Sequence, residues 1–169
     1  KTKKILDKVD LITLRDERSY KTLSEIGIEN KNVKVTADPA LDLDIADEKL
    51  GKAILKNEGV PSDKKLLGVS VRKWQNLGGD FETQIANACD YAYEKYGYYT
   101  VFLPMQSSRD TTIMQNIKRK MKHESAIIKK RYSVEGMLSI IKCFDMCIGM
   151  RLHTLIYAAI NSVPLIGLV

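Results

Sequence analysis

MCIGMRLHTLIYAAINSVPLIGLV, residues 146–169, is the stretch whose pattern decides the fold. It opens on a short apolar run, Met146–Ile148, and breaks at Gly149. It then places Leu152, Leu155, Ile156, Ala159 and Ile160 at i, i+3, i+4, i+7 and i+8, one face of an α-helix. Asn161 and Pro164 end that helix, and Leu165–Val169 reads as a second apolar strand. Strand, glycine turn, helix and strand form the repeat of a parallel α/β sheet, whose buried strands are short apolar runs. The helix is apolar nearly all round, so it is expected to be central and buried.

The alternation extends towards the N-terminus. Strand-like runs recur at Leu11–Leu14, Val33–Thr36, Leu66–Val71, Tyr99–Leu103 and Ala126–Ile128. Between them, Phe81, Ile85, Ala88, Cys89, Ala92 and Tyr96 keep helical spacing, as do Val134, Met137, Leu138 and Ile141. Ser133 suits an N-cap ahead of Glu135, and Ser107 precedes Asp110 in the manner of a capping box. The expected class is α/β: a Rossmann-like, doubly wound parallel sheet with helices on both faces. The pattern weakens over the polar residues 47–65, which include Gly51, Gly59 and Pro61. We therefore expect 1–46 to be the tail end of a preceding Rossmann-like domain. Residues 47–65 would be a linker helix and loop, and 66–169 a C-terminal Rossmann-like domain that carries the ligand site and is truncated at its C-terminal end.

Composition narrows the class without naming an activity. The chain has 169 residues, 44% of them hydrophobic and 28% charged, which fits a globular domain and excludes a disordered chain. At this length roughly two-thirds of the unfolded surface can be buried, so neither disulfides nor metal are needed for folding. No apolar run approaches the roughly 18 residues of a membrane helix. The polar start KTKK and the apolar finish VPLIGLV suggest a segment of a longer protein, so targeting signals could lie outside it. Cys89, Cys143 and Cys147 lack the spacing of a disulfide framework and are expected as buried packing; zinc on Cys143, Cys147 and His153 is conceivable but without a second ligand pair. The net charge of +6 equals that of residues 118–131 alone, where seven Lys/Arg face one Glu. That stretch has no aromatic residue on which to stack bases, so no specific nucleic-acid partner is expected. It reads as a solvated helix end and loop, or as a contact with acidic lipid head groups.

Ligands of open α/β sheets gather beyond the carboxyl ends of the strands. Gly149 would let a ligand approach the backbone, and Arg151 offers a planar fork for carboxylate or phosphate. His153, two residues on, suits proton transfer. After Val71 come Arg72 and Trp74, an anion clamp or a surface cation on an aromatic ring. After Leu103 come Gln106 and Asp110, the latter read as a helix-cap acid. After Leu14 comes Arg15, which could face a ligand or pair with Asp16 and Glu17. Asp38 before Pro39 reads as a turn former, and His123 as a solvated surface residue. Neither a Gly-rich phosphate loop nor a serine-hydrolase elbow nor an acidic metal cluster occurs. Arginines at three strand exits suggest an anionic ligand and no metal.

These stretches also carry a family resemblance. The order LITLRDERSYKTLSEIGI, VKVTADPALDL, GVSVRKW, VFLPMQSSRD and CIGMRLHTLIYAAINSVPLIGL resembles the polysaccharide pyruvyl transferases over nearly the whole chain. The resemblance implies one half of a GT-B-like two-domain architecture. It implies transfer of a pyruvyl group from phosphoenolpyruvate to a sugar of a cell-wall or surface polysaccharide, forming a pyruvate ketal. It implies Arg151 and His153 as catalytic residues, Arg72, Arg15, Gly149 and Gln106 around the substrates, and no cofactor beyond the phosphoenolpyruvate donor. Arg15, from the preceding domain, would reach across the cleft. The acceptor would be a glycan, lipid-linked or growing, which places the protein in the cytoplasm with the 118–131 stretch near the inner membrane face. A nucleotide-sugar-dependent GT-B glycosyltransferase and a non-catalytic anion- or glycan-binding module remain open alternatives.

Overall fold

The computed structural model describes residues 1–44, 46–73 and 80–168, the side chains of Ser107 and Ser108 excepted. It divides into two compact units, Lys1–Leu43 and Asp44–Val169. Trp74 and Val169, both part of the sequence reading, lie outside the described residues, as does the Ser107 side chain.

The first unit holds a two-stranded parallel sheet, β1 (Ile12–Leu14) beside β2 (Val33–Val35), with Ile12 opposite Val33. Helices α1 (Thr2–Leu6) and α2 (Glu17–Glu25) accompany it. Asp16 caps α2 by accepting from the Ser19 N–H at 2.7 Å. Asp38 caps the short 3-10 turn Pro39–Asp42, as its place before proline suggested.

The second unit is a five-stranded sheet, every neighbouring pair parallel. Its strands are β3 (Lys65–Ser70), β4 (Tyr98–Phe102), β5 (Ser125–Ile127), β6 (Met146–Gly149) and β7 (Leu165–Gly167). Each coincides with an expected run to within a residue or two at its ends. The spatial order is β5-β4-β3-β6-β7. The chain thus starts in the middle, builds outward to β5, then returns to the other side of β3, the Rossmann-like order. The helices are α3 (Glu48–Asn57), α4 (Phe81–Tyr96), α5 (Ser107–Lys120), α6 (Val134–Lys142) and α7 (Leu152–Ile160). Helix α4 packs beside α5, while α6 contacts both α3 and α7.

Strand β3 is the centre of the core. Leu67, Val69 and Val71 are buried, and with Phe102, Met114 and Ile117 they belong to one apolar cluster. Gly68 faces the Phe144 ring so closely that a Cβ would overlap it. Residues 47–65 do more than connect: they contain α3, whose Ile54 and Leu55 are buried, and it lies within the second unit. Gly51 of α3 sits against the Ser139 carbonyl of α6, with no room for a Cβ. Capping follows the sequence at Ser133, whose Oγ accepts from the Gly136 N–H at 3.2 Å. It differs at α5, where Gln106 is the N-cap and its N–H donates to the Asp110 carboxylate at 2.8 Å. The acid supplies the hydrogen bond here, one residue beyond its place in a capping box.

The expectation of a wholly buried α7 needs correction. Thr154, Ile156, Tyr157 and Ala158 are buried, but Leu152 is 43% exposed and His153 and Ala159 face solvent. The exposed residues at the start of the helix are those that reach the mouth of a pocket.

Candidate active site

The order of the sheet reverses between β3 and β6. Helices leaving neighbouring strands in opposite senses open a crevice at such a point, beyond the carboxyl ends of the strands. Here Ser70 lies opposite Gly149, and the Met150 N–H donates to the Ser70 carbonyl at 2.9 Å. Beyond this pair lies a pocket of about 540 Å³, its walls including Arg72 after β3, and Arg151 and His153 after β6. Met105, Met150 and Tyr157 supply its apolar surface. Three of the six expected site residues therefore meet in one cavity.

Arg151 is held from behind. Its Nη2 donates to Asp110 Oδ1 at 2.5 Å and its Nε to Asp110 Oδ2 at 3.1 Å, a two-point bridge. Nη2 also reaches Gln106 Oε1 at 3.3 Å. Asp110 is fully buried, whereas the Arg151 side chain keeps 21% of its surface. A carboxylate at this depth needs a charged partner and hydrogen bonds, and it has both in Arg151 and the Gln106 N–H. The guanidinium is thereby fixed in orientation at the pocket wall. Gln106 touches Arg151 and also lines a neighbouring cavity, and Asp110, besides accepting the cap hydrogen bond, anchors Arg151, a role its reading as a helix-cap acid missed. The signal available in the sequence was an acid in the first turn of the helix that follows β4, next in the sheet to β3.

His153 is exposed in the first turn of α7, one turn before Tyr157, and the two rings meet edge to face with centroids 6.1 Å apart. Gly149 has a different place from the one expected. It is buried and is not among the described residues lining the pocket. A Cβ there would come within 2.9 Å of Leu155 Cδ2. The glycine thus lets the first turns of α7 pack tightly on the exit of β6.

Arg15 belongs to the first unit. Its Nη1 donates to Asp38 Oδ2 at 3.3 Å, and its Nε lies 3.5 Å from Asp16 Oδ2. The RDE and ADPA stretches, far apart in sequence, therefore meet at the carboxyl ends of β1 and β2. Cys89 and Cys147 are buried, and burial pushes their thiols up to about 11 and about 12. Cys143 is partly exposed, and burial likewise pushes it up to about 11. Among the described residues no group of three or more His, Cys, Asp or Glu is placed to hold a metal ion.

Comparison with known proteins bears on the family and the fold. The family model described as Polysaccharide pyruvyl transferase matches residues 1–169. The chain belongs to the polysaccharide pyruvyl transferase family. That family is one of transferases. No curated protein matches this family member significantly. Solved structures share its fold. The glycosyl transferase family 9 protein of Veillonella parvula DSM 2008 superposes with a TM-score of 0.61 at 13% identity, over 87% of this chain and 40% of that one. S. aureus MnaA, in a co-structure with UDP, gives 0.64 at 15%, over 93% and 42%. A putative UDP-N-acetylglucosamine 2-epimerase from Listeria monocytogenes gives 0.60 at 12%, over 93% and 41%. The chain thus has the GT-B type of α/β fold of these structures and spans about two-fifths of their length. Among its described residues no helix is long and apolar enough to cross a membrane.

Proposed function

We propose that the Arg72–Arg151–His153 pocket binds phosphoenolpyruvate and that the protein transfers its pyruvyl group to a sugar of a cell-wall or surface polysaccharide. The observation that carries this reading is the orientation of Arg151 by buried Asp110, in a pocket that also presents a second arginine and a histidine. A donor with a carboxylate and a phosphate calls for two guanidinium groups. His153 is exposed at the mouth, where it can exchange protons with reacting groups.

The chemistry balances without a redox partner. A proton is added to the methylene carbon of the enol, which becomes the methyl group. One sugar hydroxyl attacks the central carbon and gives up its proton. A second hydroxyl then attacks the same carbon and displaces phosphate, and its proton leaves with the phosphate or through His153. Arg151 and Arg72 stabilise the charge that accumulates on the departing phosphate.

Calorimetric titration of the protein with phosphoenolpyruvate, inorganic phosphate and UDP-glucose tests the donor. Saturable binding of phosphoenolpyruvate is expected, and its loss in Arg72→Gln and Arg151→Gln. Removing Arg151 leaves Asp110 unpaired, so Arg72→Gln is the variant that decides if the other unfolds. Binding of UDP-glucose without phosphoenolpyruvate would overturn the reading in favour of nucleotide-sugar transfer. His153→Ala is expected to lower turnover by about 100-fold or more with phosphoenolpyruvate affinity retained; unchanged turnover would remove the histidine from the mechanism.

A further inference from the structure

A second cavity, of about 430 Å³, adjoins the arginine pocket and shares Met105 and Tyr157 with it. Both volumes fall in the range of about 300–1,000 Å³ usual for small-molecule sites. The second cavity lies between the loops that follow β4 and β5. Pro104, Val134 and Met137 give it an apolar floor, Tyr132 an aromatic wall, and Lys129, Lys130 and Arg131 a cationic rim.

The rim is held in place from beneath. Glu58, just after α3, accepts the Lys129 N–H at 2.9 Å, the Lys130 N–H at 3.2 Å and the Tyr132 hydroxyl at 2.7 Å. Burial works to raise the Glu58 carboxyl, but these three donors and the charge of Lys130 carry it below the usual carboxylate value. Burial, with the bond to Glu58, pushes the Tyr132 hydroxyl up to about 12. The backbone of the loop is thus engaged, while the side chains of Lys129, Lys130 and Arg131 are exposed. Among the described residues none of the three has a salt-bridge partner. A loop fixed in advance loses little conformational freedom when its side chains take a ligand.

We propose that this second cavity is the acceptor subsite and that it takes a sugar bearing a phosphate group. The apolar floor and the tyrosine suit the face of a sugar ring, and the three cations suit the phosphate. Its junction with the arginine pocket at Met105 and Tyr157 brings the hydroxyls of a seated sugar towards the donor. The identification as acceptor rests on the donor reading above; the affinity for a sugar phosphate does not.

Titration with glucose 1-phosphate, glucose and inorganic phosphate, each with and without saturating phosphoenolpyruvate, tests the proposal. Glucose 1-phosphate is expected to bind more tightly than either part alone and to bind in the presence of phosphoenolpyruvate. The triple variant Lys129→Gln, Lys130→Gln, Arg131→Gln is expected to weaken it about tenfold or more, since the rim then has no cation for the phosphate. Phosphoenolpyruvate affinity should stay within about twofold in that variant, as for independent sites. Competition between the two ligands, equal binding of inorganic phosphate, an unaffected triple variant or no binding of glucose 1-phosphate would each overturn the proposal. Glucose 1-phosphate binding that the triple variant loses, without any phosphoenolpyruvate binding, would retain the sugar-phosphate site and discard the donor assignment.

Discussion

Three glycines show what a single absent Cβ does here. At Gly149 an added methyl would come too close only to the far end of the Leu155 side chain, at 2.9 Å, with Thr154 Cβ in ordinary contact at 3.4 Å. At Gly68 it would overlap the Phe144 ring, and at Gly51 the backbone carbonyl of Ser139. A flexible side-chain end yields, a packed ring yields less, and backbone hardly at all. Chemical denaturation of the three Ala variants should therefore rank them. Gly149→Ala is expected to cost about 1 kcal/mol and Gly68→Ala about 3 kcal/mol, the two ends of the usual overpacking range. Gly51→Ala is expected to cost the most and to separate α3 from α6. A Gly149→Ala variant as damaged as Gly68→Ala would contradict the packing described at the β6 exit. Gly149 itself was legible as a residue that matters, because glycine after a strand and before a helix is a recognisable signal. What it makes room for was not, since only the folded chain places Leu155 against it.

At the scale of elements, β5 divides the basic run that dominates the charge. Lys118 and Lys120, near the end of α5, lie before the strand, and Lys129, Lys130 and Arg131 lie after it. Lys118 donates to the Ser125 carbonyl, and Lys120 to Asp80 at 3.1 Å and Thr83 at 3.0 Å. The cations after β5 instead rim the second cavity. One stretch of sequence thus serves opposite ends of a strand, which charge counting along the chain does not reveal. The loop after β5 depends on Glu58, and that dependence has a pH signature. A carboxyl whose pKa is lowered on folding adds stability above its unfolded value and loses it as pH falls through the folded one. The Glu58 contribution should be intact above the ordinary glutamate value of 4.5 and fade below it. Thermal unfolding across the acidic range is expected to show Glu58→Gln less stable than the parent at neutral pH, with the gap closing on acidification. A gap that holds constant into acid would show that the carboxylate does not hold this loop.

At the scale of the molecule, Asp110 and Arg151 join the two halves of the sheet across the point where its order reverses. Asp110 belongs to α5, reached from β4, and Arg151 to the turn between β6 and α7. Removing one partner of a buried pair leaves the other desolvated and uncompensated. Asp110→Ala is accordingly expected to lower unfolding stability by about 3–5 kcal/mol, and a denaturation midpoint unchanged from the parent would contradict the pair's structural weight. Asp110→Asn, closer in shape, should keep more stability yet weaken phosphoenolpyruvate binding, because Arg151 loses its two-point anchor.

The sequence by itself determined the seven strands, most of the helices and caps, the parallel α/β class and the position of Arg72, Arg151 and His153 beyond the strand ends. Those features are local: apolar periodicity, capping side chains and the residue following each strand are all written within a few positions. Tertiary structure alone decided the pairing of Arg151 with Asp110, the packing role of Gly149, the meeting of Arg15 with Asp38 and the Glu58 clamp under the basic loop. All but the Gly149 packing join residues more than 20 positions apart, and that one depends on how α7 turns back onto β6. They depend on which strands become neighbours and on which face each helix packs, quantities set by burial and close packing of the whole chain rather than by any window of it.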